Sequence, residues 1–211
     1  MNKQMIKDSL ILFIITLVAG LLLGGVYAIT KDPIVEAQEE KKQEAYLTVF
    51  ADAVDFQDME GINLEEASAI LGEAGYEKYT IDEVKLAVDA GGAPLGYVIT
   101  VTSMEAYSGE LTIALGIRMD GTINQISFLT LAETTGLGME AKNPQFYEQY
   151  SNKQVDSFVV TKTGATAEYE IDALTGATVT SNAVTNAVNA GICYAQSLGL
   201  DGDEQGGGSD E

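Results

Sequence analysis

At 211 residues with 46% hydrophobic content, the chain has room for one soluble domain with a proper core beside a membrane segment. Its 32 acidic against 11 basic residues give a net charge of −21, which repels nucleic acid and anionic membrane faces and excludes nonspecific polyanion binding. With no histidine and a single cysteine, Cys193, it cannot build a Ser-His-Asp triad, a His-ligated haem or zinc site, an intrachain disulfide or a four-cysteine iron–sulfur cluster. Any redox chemistry must therefore come from a bound cofactor. Cys193 sits inside an apolar helical stretch and reads as a buried structural thiol.

In chain order, Ser9–Ile29 is an uncharged, mostly apolar run long enough to cross a hydrocarbon core as a helix. Val26-Tyr-Ala28 has the small-residue spacing of a signal-peptide cleavage site, but the length of the run favours an uncleaved anchor. Lys3 and Lys7 precede it, so positive-inside counting puts the N-terminus in the cytoplasm and the main domain outside. Residues 1–30 thus read as a cytoplasmic tip and transmembrane anchor, and 31–60 as a connector whose Glu/Gln/Lys face suits a helix leaving the membrane.

The domain expected at 61–200 opens with a short helix, Leu64–Ala74. Strand patterns follow at Val84–Val88 and Gly96–Thr102 around the Gly91-Gly92 turn, then at Leu111–Arg118 and Thr122–Leu131 around Asp120-Gly121, a strong hairpin signal. Asn143–Tyr150 reads as a helix, Ser157–Thr161 and Ala167–Ile171 as short strands, and Val179–Leu198 as a long final helix. The class is α+β, an antiparallel sheet flanked by helices. The acidic, glycine-rich tail at 201–211 is expected to be disordered.

Two stretches carry chemistry. In Asp172-Ala-Leu-Thr-Gly-Ala-Thr178 a hydroxyl stands at the mouth of the last helix, where unpaired N–H groups and the positive dipole end favour a phosphate. Gly176 and Ala177 leave the backbone approachable, and Thr175 adds a second hydroxyl. Thr178, Thr180 and Ser181 equally meet the needs of an ordinary helix N-cap. Upstream, the glycines of Glu133-Thr-Thr-Gly-Leu-Gly138 permit tight turns and close approach to a flat ring. Tyr107, Phe146 and Tyr147 are aromatic candidates for such a ring, Phe146 being the one best read as core.

These residues, with an anchor in front, resemble the flavinylation motif of FMN-binding domains in the G subunit of the Rnf electron-transport complex and the C subunit of the Na⁺-translocating NADH:quinone reductase. In that family the last threonine of the motif carries FMN through a phosphoester. The resemblance implies covalent FMN at Thr178, with Thr175, Gly176, Ala177 and Thr180 beside it. It also implies that Glu133, Thr134, Gly136, Leu137 and Gly138 lie near the flavin and that Asp172 belongs to the modification motif. Thr135 stands where the family usually has proline. The implied partners are a flavin transferase that moves FMN from FAD and the other membrane subunits of a complex coupling ferredoxin:NAD⁺ electron flow to Na⁺ or H⁺ translocation. The residues also fit a free-standing extracytoplasmic flavinylated carrier, or a non-redox anchored binding domain in which Thr178 only caps its helix.

Overall fold

The computed structural model describes residues 3–59 and 61–199, and the chain divides into two compact units, Met1–Gln43 and Glu44–Glu211. The tail expected to be disordered at 201–211 lies outside the described residues. Helix α1 runs unbroken over Lys3–Val49 with Pro33 in its interior. Its apolar window has a mean hydropathy of 2.6 and is 0% buried, so by length and composition it is able to cross a membrane. The Thr16 and Thr30 hydroxyls donate to the Leu12 and Val26 carbonyls at 3.0 and 2.9 Å, which satisfies polar groups on an otherwise apolar helix.

The connector expected beyond residue 31 is helical, continuous with the anchor as far as Val49. A proline removes a single N–H, and the Glu, Gln, Lys and Ala residues beyond it are strong helix formers. The compact domain also begins earlier than residue 61, at Glu44, because Ala45, Tyr46, Val49 and Phe50 are buried.

Within that domain a five-stranded sheet runs β1 (Asp55–Asp58), β2 (Tyr79–Val88), β3 (Pro94–Ala106), β4 (Gly109–Arg118) and β5 (Ile123–Leu131), in sequence order and antiparallel throughout. Strand β1 is not among the strands expected from sequence. Its four residues, Asp-Phe-Gln-Asp, are largely exposed and carry no alternation to read. The pleat sends Ile99, Val101, Leu111, Ile113 and Leu115 to one face, against α2 (Leu64–Glu73) and the long helix α4 (Thr178–Ser197). The other face is small, with Ala87, Val98 and Ala114, and admits Tyr46, Val49 and Phe50. There the Tyr46 hydroxyl bonds Thr100 Oγ1 at 2.8 Å and donates to Glu83 at 2.8 Å, and Asn124 Nδ2 donates to the Val49 carbonyl at the end of α1.

The expected helix at 143–150 is broken into α3 (Pro144–Tyr147) between two 3₁₀ turns, Gly138–Lys142 and Glu148–Tyr150. Its Phe146 is core. β6 (Val159–Thr161) and β7 (Glu170–Asp172) pair in parallel as a second small sheet that ends at Asp172. Cys193 is half-buried on α4 rather than fully enclosed, and burial pushes its thiol above the usual range.

One ion pair makes acid stability testable. Glu105 accepts from the Tyr79 hydroxyl at 2.6 Å and from Lys78 Nζ at 2.9 Å, and the Tyr79 bond first, then Lys78, holds its carboxyl below the usual carboxylate range. A carboxyl depressed on folding contributes stability above its unfolded value of about 4.3, and that contribution is lost as pH falls through the lower folded value. Glu105→Gln is therefore expected to flatten the acid limb below about pH 4.3, measured by urea melts across a pH series.

Candidate functional site

After β7 the chain makes a tight turn, Leu174–Ala177, closed by the Ala177 N–H donating to the Leu174 carbonyl at 3.1 Å. Gly176, its third residue, has φ +77°, a conformation that glycine adopts without strain. Helix α4 then begins at Thr178. The residue ahead of it is Ala177, which has no side chain to cap with. Among the described residues the amides of Thr178, Val179 and Thr180 have no acceptor and the Thr178 hydroxyl has no hydrogen-bond partner. The helix mouth is thus left with free donors and a partial positive charge.

The loop after β5 repeats the same device. Leu137 N–H donates to the Thr134 carbonyl at 3.1 Å around Gly136, whose φ is +77°. Thr135 holds the second place of this turn, the one that proline favours because its ring presets φ, and the turn forms with threonine there. The two turns meet at glycines. A Cβ on Gly176 would lie 3.1 Å from Leu137 Cδ2, and a Cβ on Gly138 would lie 2.7 Å from Thr180 Oγ1 and 2.8 Å from Glu133 Cβ. Close approach of loop and helix start therefore depends on the missing side chains.

Between them lies an open cavity of about 460 Å³. Nine of the residues expected from sequence line it: Tyr107, Glu133, Thr134, Leu137, Gly138, Gly176, Ala177, Thr178 and Thr180. Val179 completes the wall. Tyr107 stands 73% exposed between β3 and β4, where its amide donates to Glu133 Oε1 at 2.8 Å and the neighbouring Ser108 hydroxyl donates to Oε2 at 3.3 Å. Tyr107, Leu137 and Val179 give apolar surface, whereas no Lys or Arg lines the cavity among the described residues, so any attraction for an anion comes from backbone amides and threonine hydroxyls.

The remaining expected residues lie elsewhere. Gly136 shapes its turn without lining the cavity, and Thr175 and Asp172 line a separate depression with Phe146 and Gln149. The Asp172 carboxylate accepts the Ala165 amide at 2.6 Å, and its backbone N–H donates to Gln149 Oε1 at 2.7 Å. Tyr147 is half-buried and borders a different hollow beside Phe128. Val179 was not legible as a lining residue from sequence, since any first-turn position of a helix takes an exposed apolar residue. Its spacing from Thr178 was the one signal present.

Residues 106–192, which include the whole cavity, match the family model of the FMN-binding domain. Residues 1–49 match the RnfG N-terminal region. The G subunit of the Na⁺-translocating ferredoxin:NAD⁺ oxidoreductase complex of Acetobacterium woodii is 34% identical over 201 residues, covering 93% of this chain and 94% of its own length. The G subunit of the ion-translocating oxidoreductase complex of Methanosarcina acetivorans is 28% identical over 196 residues, covering 92% and 95%. Among solved structures, NqrC of Shewanella oneidensis aligns with a TM-score of 0.47 at 20% identity over 56% of this chain and 59% of its own. The chain belongs to the RnfG family, the G subunits of ion-translocating oxidoreductase complexes.

Proposed function

We propose that this chain is a membrane-anchored electron-transfer subunit of an ion-translocating oxidoreductase complex, carrying FMN as a phosphoester on Thr178. The observation that carries the reading is an unpartnered hydroxyl at the uncapped start of α4, on the wall of a cavity that no Lys or Arg lines among the described residues. FMN supplies the ability to take up and pass on one or two electrons. The free amides of α4 would receive its phosphate, and Tyr107, Leu137 and Val179 offer apolar surface for the ring. Without a Lys or Arg to grip the phosphate, noncovalent retention would be weak, which makes a bond to Thr178 the means of holding the group.

Installing that bond falls to a flavin transferase with FAD as donor, and the remaining subunits of the complex supply donor and acceptor. The A. woodii relative is named for Na⁺ transport and for ferredoxin and NAD⁺; the coupling chemistry here is of that type, with Na⁺ or H⁺ as the ion. We read the N-terminus as cytoplasmic and the FMN domain, residues 61–200 with 44–60 added, as lying on the opposite side, a reading supported by Lys3 and Lys7 ahead of the apolar run.

Co-expression of the full chain with a flavin transferase tests the reading, the expected result being a flavin that stays with the protein through denaturing electrophoresis; a colourless chain would sink it. A further outcome follows from charge. Glu133 lines the cavity on a chain of net charge −21, and negative charge disfavours reduction of a neighbouring group. The bound flavin should titrate below the potential of free FMN, and Glu133→Gln should raise it; a wild-type potential well above free FMN would contradict this.

A further inference from the structure

The turn that precedes Thr178 is held by a hydroxyl from outside it. Ser181 Oγ accepts the Leu174 N–H at 2.9 Å and donates to the Ala177 carbonyl at 3.0 Å. One buried side chain therefore ties the first residue of the turn to the last. Ser181 is itself fixed, because its carbonyl accepts Thr185 Oγ1 at 2.8 Å and that hydroxyl shares a 2.7 Å bond with the fully buried Tyr150 hydroxyl in the core. Removing Oγ would leave the Leu174 N–H without its acceptor and free the chain to pivot at Gly176, the most permissive residue of the turn. Thr178 is the second residue beyond that pivot, and no side chain caps the helix there.

We propose that Ser181 is a positioning residue for flavin attachment: by pinning the Leu174–Ala177 turn it presents Thr178 Oγ in one orientation for attack. The inference rests on the reading of Thr178 as acceptor. In the step concerned a bond forms between Thr178 Oγ and the FMN phosphorus of FAD, and the bond from that phosphorus to the bridging oxygen breaks. AMP leaves with the bridging oxygen, and the hydroxyl proton passes to solvent; no electrons are exchanged. A transfer of this kind is sensitive to the orientation of the attacking atom.

The test uses purified full chain in detergent, a flavin transferase and FAD, with initial rates of flavin incorporation read at several acceptor concentrations. Ser181→Ala is expected to lower kcat by about tenfold with KM little changed, the size of effect that one ordinary hydrogen bond produces. Alanine favours helix, so the variant should fold, and thermal melts check it. Ser181→Thr, which keeps the hydroxyl, should retain most of the rate. Tyr46→Phe loses core hydrogen bonds on the sheet face opposite α4, away from the turn, and should stay within about twofold of wild type. Ser181→Ala at the wild-type rate, or equal losses in Ser181→Ala and Tyr46→Phe, would overturn the positioning role and leave Thr178 as acceptor. A wild-type chain that takes no flavin would overturn both, and would do so before any variant is made.

Discussion

Thr178→Val is expected to give a folded chain that gains no FMN. Valine keeps the branched shape of threonine and removes only the hydroxyl. That hydroxyl has no partner among the described residues, so stability should change by no more than about 0.5 kcal/mol. Co-expressed with a flavin transferase, the natural chain should gain the mass of one FMN less one water, and the variant nothing. The neighbours are poor substitutes. Thr180 and Ser181 are 1% and 0% exposed, and Thr175 lines the other depression. Labelling of the valine variant at any of them, located by peptide mass, would remove Thr178 from its assigned role.

Gly138→Ala is expected to damage both stability and loading. Its Cβ would sit 2.7 Å from Thr180 Oγ1, 2.8 Å from Glu133 Cβ and 2.9 Å from Glu133 Oε2. Thr180 is buried on α4, and Glu133 is tied to Tyr107 and Ser108, so neither yields without disturbing the cavity wall. Overpacking of this kind costs about 1–3 kcal/mol, a fall in Tm of roughly 2–4 °C per kcal/mol for a domain of this size. Gly136→Ala gives the contrast. Space around Gly136 is open but its φ is +77°, so the cost there is about 1–2 kcal/mol of backbone strain with the cavity intact. Melting curves should show losses in both variants, whereas flavin content should fall only in Gly138→Ala; equal loading in the two would mean that the close approach at Gly138 does not shape the cavity.

The strands with apolar alternation, β2 to β5, and the long helix α4 were readable because each repeats its pattern over enough residues to average out exceptions. Strand β1 was not, since four residues of which only Phe56 is partly buried carry no alternation and pair with β2 only in the folded chain. The parallel pairing of β6 with β7 was equally hidden, being a property of two three-residue segments that meet only in the folded chain. At the site, glycines announced where backbone comes close, and the resemblance brought the two loops into one picture. The sequence does not say which way each motif residue faces around the Leu174–Ala177 turn: Asp172 and Thr175 face one depression, whereas Gly176, Ala177 and Thr178 face the cavity. Ser181 was legible as a possible helix cap; its bonds to Leu174 and Ala177 depend on how the turn folds back over the helix.

A binding pocket with a cation in it reports the ambient concentration of its ligand, filling and emptying as supply changes. The cavity beside α4 has only uncharged donors, backbone amides and threonine hydroxyls, to offer a phosphate. If the cofactor is joined at Thr178 as proposed, its occupancy would become a record of each molecule's synthesis: a chain that met the transferase would stay charged through any later shortage, and one that missed it would stay blank in a flood of flavin. Dialysis, dilution and added FMN should then leave the filled fraction of a purified sample unchanged.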